Sequence, residues 1–327
     1  MKNKTLLFLI IGGLVYFGVS NDPLGAEKVY PSKSIELVCP IGAGGSTSMS
    51  GRVIAGTLTE YIGAPVVVIH KTGAYGTVGT TYVAKSKPDG YTLLITITGP
   101  MAISPSIRKI DYKIQDFELL CQYAIEPMGL VVRSDAPWKT VEELVADIKK
   151  APGTFKYATD GVGTPSHVGI EFFKKAVGGL KMDAVPFLSG LETGTAVLGG
   201  HVQMTYAYLV SVKGAYEAGK IRILALGTDK RLEDYPGVPT FSEIGYPEVK
   251  WCPWYGVGAP IKVPKQVSDK LKEALYKTAQ NPEVQKLLSK IGFTPSFMDG
   301  KEFTKVIQEE NKKVFKLVEA GDIKKVD

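Results

Sequence analysis

Three features of the sequence predict an α/β protein built from two lobes. Short apolar segments that suit β-strands alternate with amphipathic segments that suit helices, which is the pattern of α/β folds. The alternation fills two comparable blocks, which indicates one sheet with its helices in each block. The chain behind its N-terminal segment has roughly 300 residues, enough for both blocks to bury a hydrophobic core.

The first 26 residues are typical of an export signal. Lys2 and Lys4 precede an apolar run at residues 6–19, and small residues follow the run. The run is shorter than the about 20 residues that span a bilayer, so we expect cleavage after Ala26 or Ser20. A retained membrane anchor is the alternative. We therefore expect an exported protein.

The chain behind the signal begins with a strand, a glycine-rich turn and a helix. Residues 35–39 suit a short strand, residues 42–45 are rich in glycine, and apolar residues then recur at helical spacing. The apolar helix positions are Met49, Val53, Leu58 and Ile62. Because the first amides of a helix lack partners, we expect hydroxyl caps here. The candidates are Ser46, Thr47 and Ser48.

A second copy of this pattern lies in the other block. Residues 155–159 suit a strand, Gly161 and Gly163 form a turn, and Thr164 and His167 stand at a helix start. Either copy alone is equally an ordinary strand-to-helix turn. Two facing helix starts, each with unpaired amides and a positive dipole end, would hold a small anion between them. The pair therefore predicts an anion site.

The sequence lacks the motifs of several other functions. No lysine follows either set of glycines as a phosphate-binding loop requires, and neither set fits the dinucleotide motif. The nucleophile elbow of α/β hydrolases is absent as well. The net charge of +6 is spread without basic runs, so we expect no nucleic-acid partner. We also expect no cofactor.

The cysteines and histidines do not predict a metal site. Cys39, Cys121 and Cys252 lie in apolar or aromatic surroundings, which suits buried thiols better than a disulfide framework. The histidines are scattered and lack the spacing of metal ligands. We expect no metal.

The remaining elements follow from short-range patterns. In the first block, residues 66–69 suit a buried strand, residues 70–79 a glycine loop that contains Tyr75, and residues 91–95 a strand. Thr96 stands at the end of that strand, where open α/β sheets place ligands. Further strands are expected at residues 130–132, 184–187, 202–206, 221–226 and 255–260. Further helices are expected after Thr140, Ser189, Pro264 and Asp299, and the helix after Pro264 is expected to continue past Pro282.

Short motifs recur along the chain in the order of a known family. They are Ala-Gly-Gly at 43–45, Pro-Asp-Gly-Tyr-Thr-Leu at 88–93, Gly-Val-Gly-Thr at 161–164 and Leu-Gly-Gly-His-Val at 198–202. Shorter matches lie at 30–33, 73–79, 185–187, 218–220, 238–240 and 259–260. In these motifs the chain resembles the Bug receptors, the periplasmic substrate-binding proteins of tripartite tricarboxylate transporters.

The resemblance implies a two-lobe receptor of the type II flytrap kind, not an enzyme. Each lobe would have a mixed sheet flanked by helices, and two crossing strands would form the hinge. Lobe 1 would comprise residues 27–128 and 251–327, and lobe 2 residues 129–250. The implied partners are a small organic carboxylate and the membrane permease subunits of a transporter. We expect a monomer.

The resemblance also implies that both glycine loops hold one ligand carboxylate, largely through backbone amides and bridging waters. Carried over to this sequence, the ligand-binding residues are Gly44, Gly45, Ser46, Ser48, Gly163, Thr164 and His167. The side-chain part of the pocket would come from Tyr75, Thr96, Phe187 and Glu192.

Some of these residues have simpler explanations, and others depart from the family pattern. His167 is equally well explained as a helix cap and Tyr75 as a residue that covers its glycine loop. Glu192 is equally well explained as an acid in the first turn of a helix. The family often has Asp where this chain has Ser48. Because Glu192 is then the only acid expected nearby, we expect a carboxylate ligand without an ammonium group.

Two other functions remain as alternatives at this point. A ligand sensor would keep the fold but present its closed form to a signalling receptor. An exported hydrolase or lyase would use His167 with a neighbouring hydroxyl such as Ser166, although no triad is recognisable in the sequence.

Overall fold

The computed structural model describes residues 29–326, so the predicted export signal at residues 1–26 lies outside the described residues. The strands in this range are β1 (Ile35–Cys39), β2 (Val66–His70), β3 (Thr92–Ile97), β4 (Phe117–Ile125), β5 (Met128–Arg133), β6 (Lys156–Thr159), β7 (Asp183–Pro186), β8 (Met204–Tyr208), β9 (Ile221–Leu226), β10 (Trp254–Pro260) and β11 (Thr294–Asp299). The helices are α1 (Ser46–Ile62), α2 (Thr77–Ala84), α3 (Ser104–Ile107), α4 (Val141–Lys150), α5 (Pro165–Ala176), α6 (Gly190–Leu198), α7 (Leu209–Glu217), α8 (Lys265–Gln280), α9 (Pro282–Lys290) and α10 (Gly300–Glu319).

The strands form two mixed sheets, one in each lobe. The first sheet has the order β11-β4-β10-β3-β1-β2, and β10 runs antiparallel to both of its neighbours. The second sheet has the order β7-β6-β8-β5-β9, with β6 parallel to its neighbours and β5 antiparallel to its own. Helices flank both sheets, so the predicted α/β architecture of two lobes is confirmed.

Two side-by-side segments connect the sheets. The chain leaves the first sheet after β4, at Glu126 and Pro127, and returns to it immediately before β10. The backbone amide of Glu126 donates to the carbonyl of Pro253 at 2.8 Å, which joins the outgoing segment to the returning one. Strands β5 and β10 each lie wholly within one sheet, on either side of this junction.

The C-terminal helix α10 packs against the cores of both lobes. Near its start, Phe303 and Ile307 are buried with Trp254 and other side chains of the first lobe. Towards its end, Val314 and Leu317 are buried in the main core of the second lobe. Burying an aliphatic or aromatic side chain of this size stabilises the fold by about 1.5–3 kcal/mol, so α10 ties the lobes together.

Local capping explains where several helices begin. The Thr140 hydroxyl accepts the Glu143 amide at the start of α4 (3.3 Å). Asp299 accepts two amides of the first turn of α10. Asn281 stops α8 and caps α9, so the helix predicted to continue past Pro282 is two helices.

Four expectations about local structure are wrong. Strand β2 is not buried but lies at the sheet edge, where Val67 is 48% exposed. The loop expected at residues 70–79 already contains the start of α2. The strand expected at residues 202–206 begins only at Met204. Met49 lies on the exposed face of α1, whose buried positions include Ile54, Leu58 and Ile62.

The cysteines are free thiols, with Cys39 and Cys121 buried and Cys252 partly buried. Within residues 29–326, no helix combines the length and the apolar character needed to span a membrane.

Candidate ligand-binding site

The first glycine loop is an open turn between β1 and α1. Residues 42–45 are exposed. Gly44 has φ +93°, and an added Cβ there would meet nothing within 4 Å. Gly45 is the N-cap of α1, and no side chain within residues 29–326 caps the helix. The first backbone hydrogen bond of α1 is the one that Met49 donates to Gly45 (3.1 Å). The amides before Met49 are the unpaired donors of a helix start.

The hydroxyls of the first loop contact neighbouring elements instead of capping α1, so the predicted caps are wrong. The Ser46 hydroxyl donates to Glu126 Oε2 at 3.3 Å. The Ser48 hydroxyl lies 2.9 Å from His70 Nε2 and is buried. These contacts anchor the first turn to the sheet and leave the amides of this turn without a side-chain acceptor.

The second glycine loop, between β6 and α5, is internally bonded and buried from Gly163 onwards, while Val162 at its tip is exposed. Thr164 is the N-cap of α5. Its hydroxyl accepts the His167 amide (3.4 Å) and can donate to the Gly161 carbonyl (2.8 Å). The Ser166 hydroxyl donates to Asp160 and lies 3.1 Å from the Thr159 hydroxyl. Thr164 therefore caps α5 where His167 was considered as the cap, and the loop is held by its own polar side chains.

His167 holds the second loop through its backbone. Its Nδ1 accepts the Gly163 amide at 3.1 Å, and its Nε2 lies 3.7 Å from Glu171 Oε1. Burial, aided by the nearby charge of Lys174, lowers the pKa of His167 to about 4. The ring is therefore neutral at physiological pH, with its proton on Nε2. The amide of Gly163 is already engaged by His167.

Gly163 also contacts the first lobe. Its φ of +73° lies in the left-handed region, and an added Cβ would lie 2.2 Å from Ile107 Cδ1. Ile107 ends the short helix α3 and is fully buried. The second loop therefore packs on α3, which brings the two lobes into contact beside the loops.

A buried carboxylate that the sequence analysis missed lies where the lobes join. Glu126 is 3% exposed. Its Oε2 accepts the Tyr255 hydroxyl (2.6 Å) and the Ser46 hydroxyl. Burial raises the pKa of Glu126 to about 7, because its hydrogen bonds compensate only in part and the charge of Asp160 raises the pKa further. No local motif marks Glu126, since its partners lie far away in sequence.

Two tyrosines from opposite lobes line the space near Glu126. Tyr75 has φ +54° and is 38% exposed, and its ring lies against Gly99 at the end of β3. Tyr208 is the last residue of β8 and lies against Gly190. Burial raises the pKa of both phenols, and the charge of Asp160 raises each further. Asp160 of the second loop thus lies near residues of both lobes.

Arg108 is a second site residue that the sequence analysis missed. Its guanidinium carbon lies 5.9 Å from the centre of the Tyr75 ring, and its Nε is buried. Among residues 29–326, Nε has no hydrogen-bond partner and no carboxylate lies within ion-pair distance of the guanidinium. The partly buried cation beside Tyr75, with its unpaired Nε, makes this side favourable for an anion.

Three predicted pocket residues lie apart from the glycine loops or are engaged elsewhere. Thr96 is fully buried within the first sheet, where its hydroxyl packs against Gly256 and has no described partner. Phe187 packs on a small apolar cluster of the second lobe. The carboxylate of Glu192 is exposed and accepts the Leu188 amide (3.1 Å), as a first-turn acid does. The expectation that Glu192 is the only nearby acid is wrong, because Glu126 and Asp160 lie closer to the loops.

Comparison with known proteins agrees with this architecture. The family described as "Tripartite tricarboxylate transporter family receptor" matches residues 51–323. Protein BugT of Bordetella pertussis is 31% identical over 90% of each chain. A solved structure described as a periplasmic transporter is 32% identical with a TM-score of 0.76, covering 91% of this chain and 100% of its own. Rpa4515 of R. palustris, solved with adipate, is 28% identical with a TM-score of 0.75, covering 90% and 99%.

The family match, the BugT relationship and the shared two-lobe fold extend over most of the chain. The protein belongs to the receptor family of the tripartite tricarboxylate transporters, a family of periplasmic solute-binding proteins.

Proposed function

We propose that this protein binds a small organic carboxylate between its two glycine loops and delivers it to the permease subunits of a tripartite tricarboxylate transporter. The mature monomer would act in the periplasm after removal of residues 1–26. Its lobes would comprise residues 27–128 with 251–327, and residues 129–250.

The observation that carries this proposal is the uncapped start of α1. Gly44, Gly45 and Ser46 expose the turn, and the amides of the first helical turn have no side-chain acceptor. A ligand carboxylate would accept these amides and interact favourably with the positive end of the helix dipole. No acidic residue lies in the first turn of α1 to compete for this position.

The second loop would serve as the opposite, rigid wall. Its Gly163 amide already bonds to His167 and its Thr164 hydroxyl already caps α5, so His167 and Thr164 would shape the wall more than they donate to ligand. Tyr75 and Tyr208 would line the space between the walls. Ser48 would support the first turn through His70.

Binding would close the lobes at the two connections, residues 126–127 and the segment that ends at residue 253, because the two strands implied as a hinge, β5 and β10, each lie within one sheet. A ligand that contacts both lobes favours the closed state in proportion to its extra affinity for that state. The hydrogen bond between Glu126 and Pro253 joins the two connections, which suits a hinge at this point.

We propose a dicarboxylate as the ligand class. The guanidinium of Arg108 would donate to a second carboxylate at the Tyr75 side of the site, and its buried Nε would gain the hydrogen-bond acceptor that it lacks among residues 29–326. The relative solved with adipate, a dicarboxylate, supports the same class.

Catalysis by His167 is a less favoured alternative. Its Nδ1 is occupied by the Gly163 amide, and the Ser166 hydroxyl bonds to Asp160 rather than to the imidazole. The low pKa of His167 also makes it a weak base. The second alternative is a ligand sensor, which would bind the same ligand but present its closed form to a signalling receptor instead of a permease. Permease genes beside the gene of this protein would favour transport.

The test is calorimetric titration of the mature protein, stripped of any retained ligand, with adipate, succinate and malate. We expect one ligand per chain, without turnover. Arg108→Gln should weaken dicarboxylates about tenfold or more, yet weaken the matched monocarboxylate hexanoate little. If no carboxylate binds, the proposal is contradicted. If Arg108→Gln weakens adipate and hexanoate equally, the dicarboxylate part of the proposal is contradicted.

A further inference from the structure

Glu126 presents one occupied and one open oxygen. Both of its described side-chain hydrogen bonds, from Tyr255 and Ser46, end on Oε2. Oε1 has no partner among residues 29–326, yet it is not among the fully buried unpaired atoms, which are Thr96 Oγ1, Ser104 Oγ and Arg108 Nε. Although the residue is buried as a whole, Oε1 therefore keeps access to solvent.

The hydrogen bonds decide where a proton would bind to Glu126. Two hydroxyl donors already use the lone pairs of Oε2, so a proton on the carboxyl group binds Oε1. The protonated side chain then presents an O–H donor, and the ionised side chain presents only an acceptor. Ser46 begins α1, so this switch between donor and acceptor operates beside the uncapped helix start.

We propose that Glu126 is a ligand-contacting residue that binds the carboxylate as its neutral acid, so that ligand binding takes up one proton at Oε1. This inference rests on the proposed function, because an ionised Glu126 would repel a carboxylate held at the start of α1. The neutral acid instead donates a hydrogen bond to a ligand oxygen. The only covalent bond formed is the O–H bond between Oε1 and the proton that is taken up.

The surroundings of Glu126 favour the neutral form. Asp160 of the second loop raises its pKa, and the Tyr255 and Ser46 hydroxyls lower it. The other titratable groups that sense Glu126 are Tyr75, Tyr208 and Cys252, and burial raises the pKa of each of them. Their neutral forms persist at physiological pH. With its pKa at about 7, Glu126 is poised for a nearby anion to shift it to the neutral form.

The experiment measures adipate binding by calorimetry between about pH 6 and about pH 8.5, in buffers of different ionisation enthalpy. Adipate is doubly ionised over most of this range, so protons taken up come from the protein. We expect close to one proton taken up per adipate at the high end of the range and less at the low end. The Kd should rise about tenfold per pH unit above pH 7.

Matched variants assign the proton. Glu126→Gln keeps the shape and a donor but cannot titrate, so it should bind adipate at every pH with no proton uptake. Glu310→Gln is the control, because Glu310 is the other carboxylate whose pKa burial raises to about 7, and it bonds to Trp254 (2.6 Å). This control should keep the pH dependence of the wild type.

Other results would overturn the inference. If the wild type binds adipate without taking up a proton, the inference about Glu126 is wrong and the proposed function stands. This result needs only the wild type, so it holds even if Glu126→Gln does not fold. Tighter binding of aspartate than of succinate, strengthening with pH and lost in Glu126→Gln, would instead assign Glu126 to an ammonium group. If adipate, succinate and malate all fail to bind at every pH, both proposals fail.

Discussion

The two glycine loops have similar sequences but use their polar groups in opposite ways. In the second loop, the amides of Asp160, Gly163, Thr164 and His167 all donate to partners within the loop and its helix, and Pro165 has no amide hydrogen. In the first loop the helix start has no cap and the turn is exposed. Among residues 29–326, the second loop therefore has four of its amides paired, whereas the amides that precede Met49 in the first loop are left for a partner outside the chain.

This difference locates the ligand more sharply than sequence similarity between the loops does. A loop whose donors are already bonded offers shape and rigidity, whereas a loop with unpaired donors offers binding free energy. The family relationship implies that both loops contact the ligand. The contrast adds that they do so in different roles, and the following variants test the contrast.

The largest expected effect separates Gly163 from Gly44. Gly163→Ala should destabilise the protein by about 2–4 kcal/mol, because it combines left-handed strain with a clash against Ile107. Gly44→Ala has open space around its Cβ and should cost about 1 kcal/mol, from strain alone. Urea unfolding measures both. Equal losses would show that the two loops are not different in packing.

The next largest effect concerns pH. The contributions of His167 and Glu126 to the stability of the fold change with pH in opposite directions. His167 has a depressed pKa of about 4, so its contribution to stability is complete above about pH 6.5 and is lost as the pH falls towards 4. Glu126 has a raised pKa of about 7, so its contribution is complete below about pH 4.5 and is lost as the pH rises towards 7.

Unfolding free energies between pH 4 and pH 8 check this pair. His167→Asn should gain about 1–3 kcal/mol relative to the wild type as the pH falls, and Glu126→Gln should gain a similar amount as the pH rises. If both variants follow the wild type in parallel across the range, these groups are not the source of its pH dependence.

Removal of one hydroxyl from each helix start gives a smaller effect. Thr164→Ala should cost about 1–2 kcal/mol, because it removes the cap of α5 and a hydrogen bond to Gly161. Ser46→Ala should cost at most about 0.5 kcal/mol, because Ser46 caps nothing and its hydrogen bond to Glu126 is long. Thermal unfolding at one pH measures both changes. A larger loss for Ser46→Ala would reverse the assignment of roles.

Much of the fold follows from the sequence because it depends on local periodicity. The strands and helices around both loops were predictable, as were the caps at Thr140 and Asp299. Strand β4, helix α7 and strand β11 were not predicted. β4 is buried along most of both faces, with Gln122 among its buried residues, and β11 contains Pro295 and is only partly buried, so neither has a clear alternating pattern.

The site was less predictable because its chemistry depends on distant partners. The sequence places hydroxyls at both helix starts, but only the fold decides that Thr164 caps its helix and that Ser46 turns to Glu126. Glu126 and Arg108 carry no motif, and their importance comes from burial and from missing partners. Acids and bases of this kind become visible only when the two lobes are placed together.

The most direct test of the contrast is amide hydrogen exchange, resolved at single residues, with and without saturating adipate. We predict that the Gly163 amide is protected in the free protein, because it is buried and bonded to His167. The amides of Ser46 and Thr47 should exchange quickly in the free protein and become protected at least about tenfold when adipate binds. Saturating adipate without new protection at residues 46–47, or with new protection only at residues 161–164, would contradict the account.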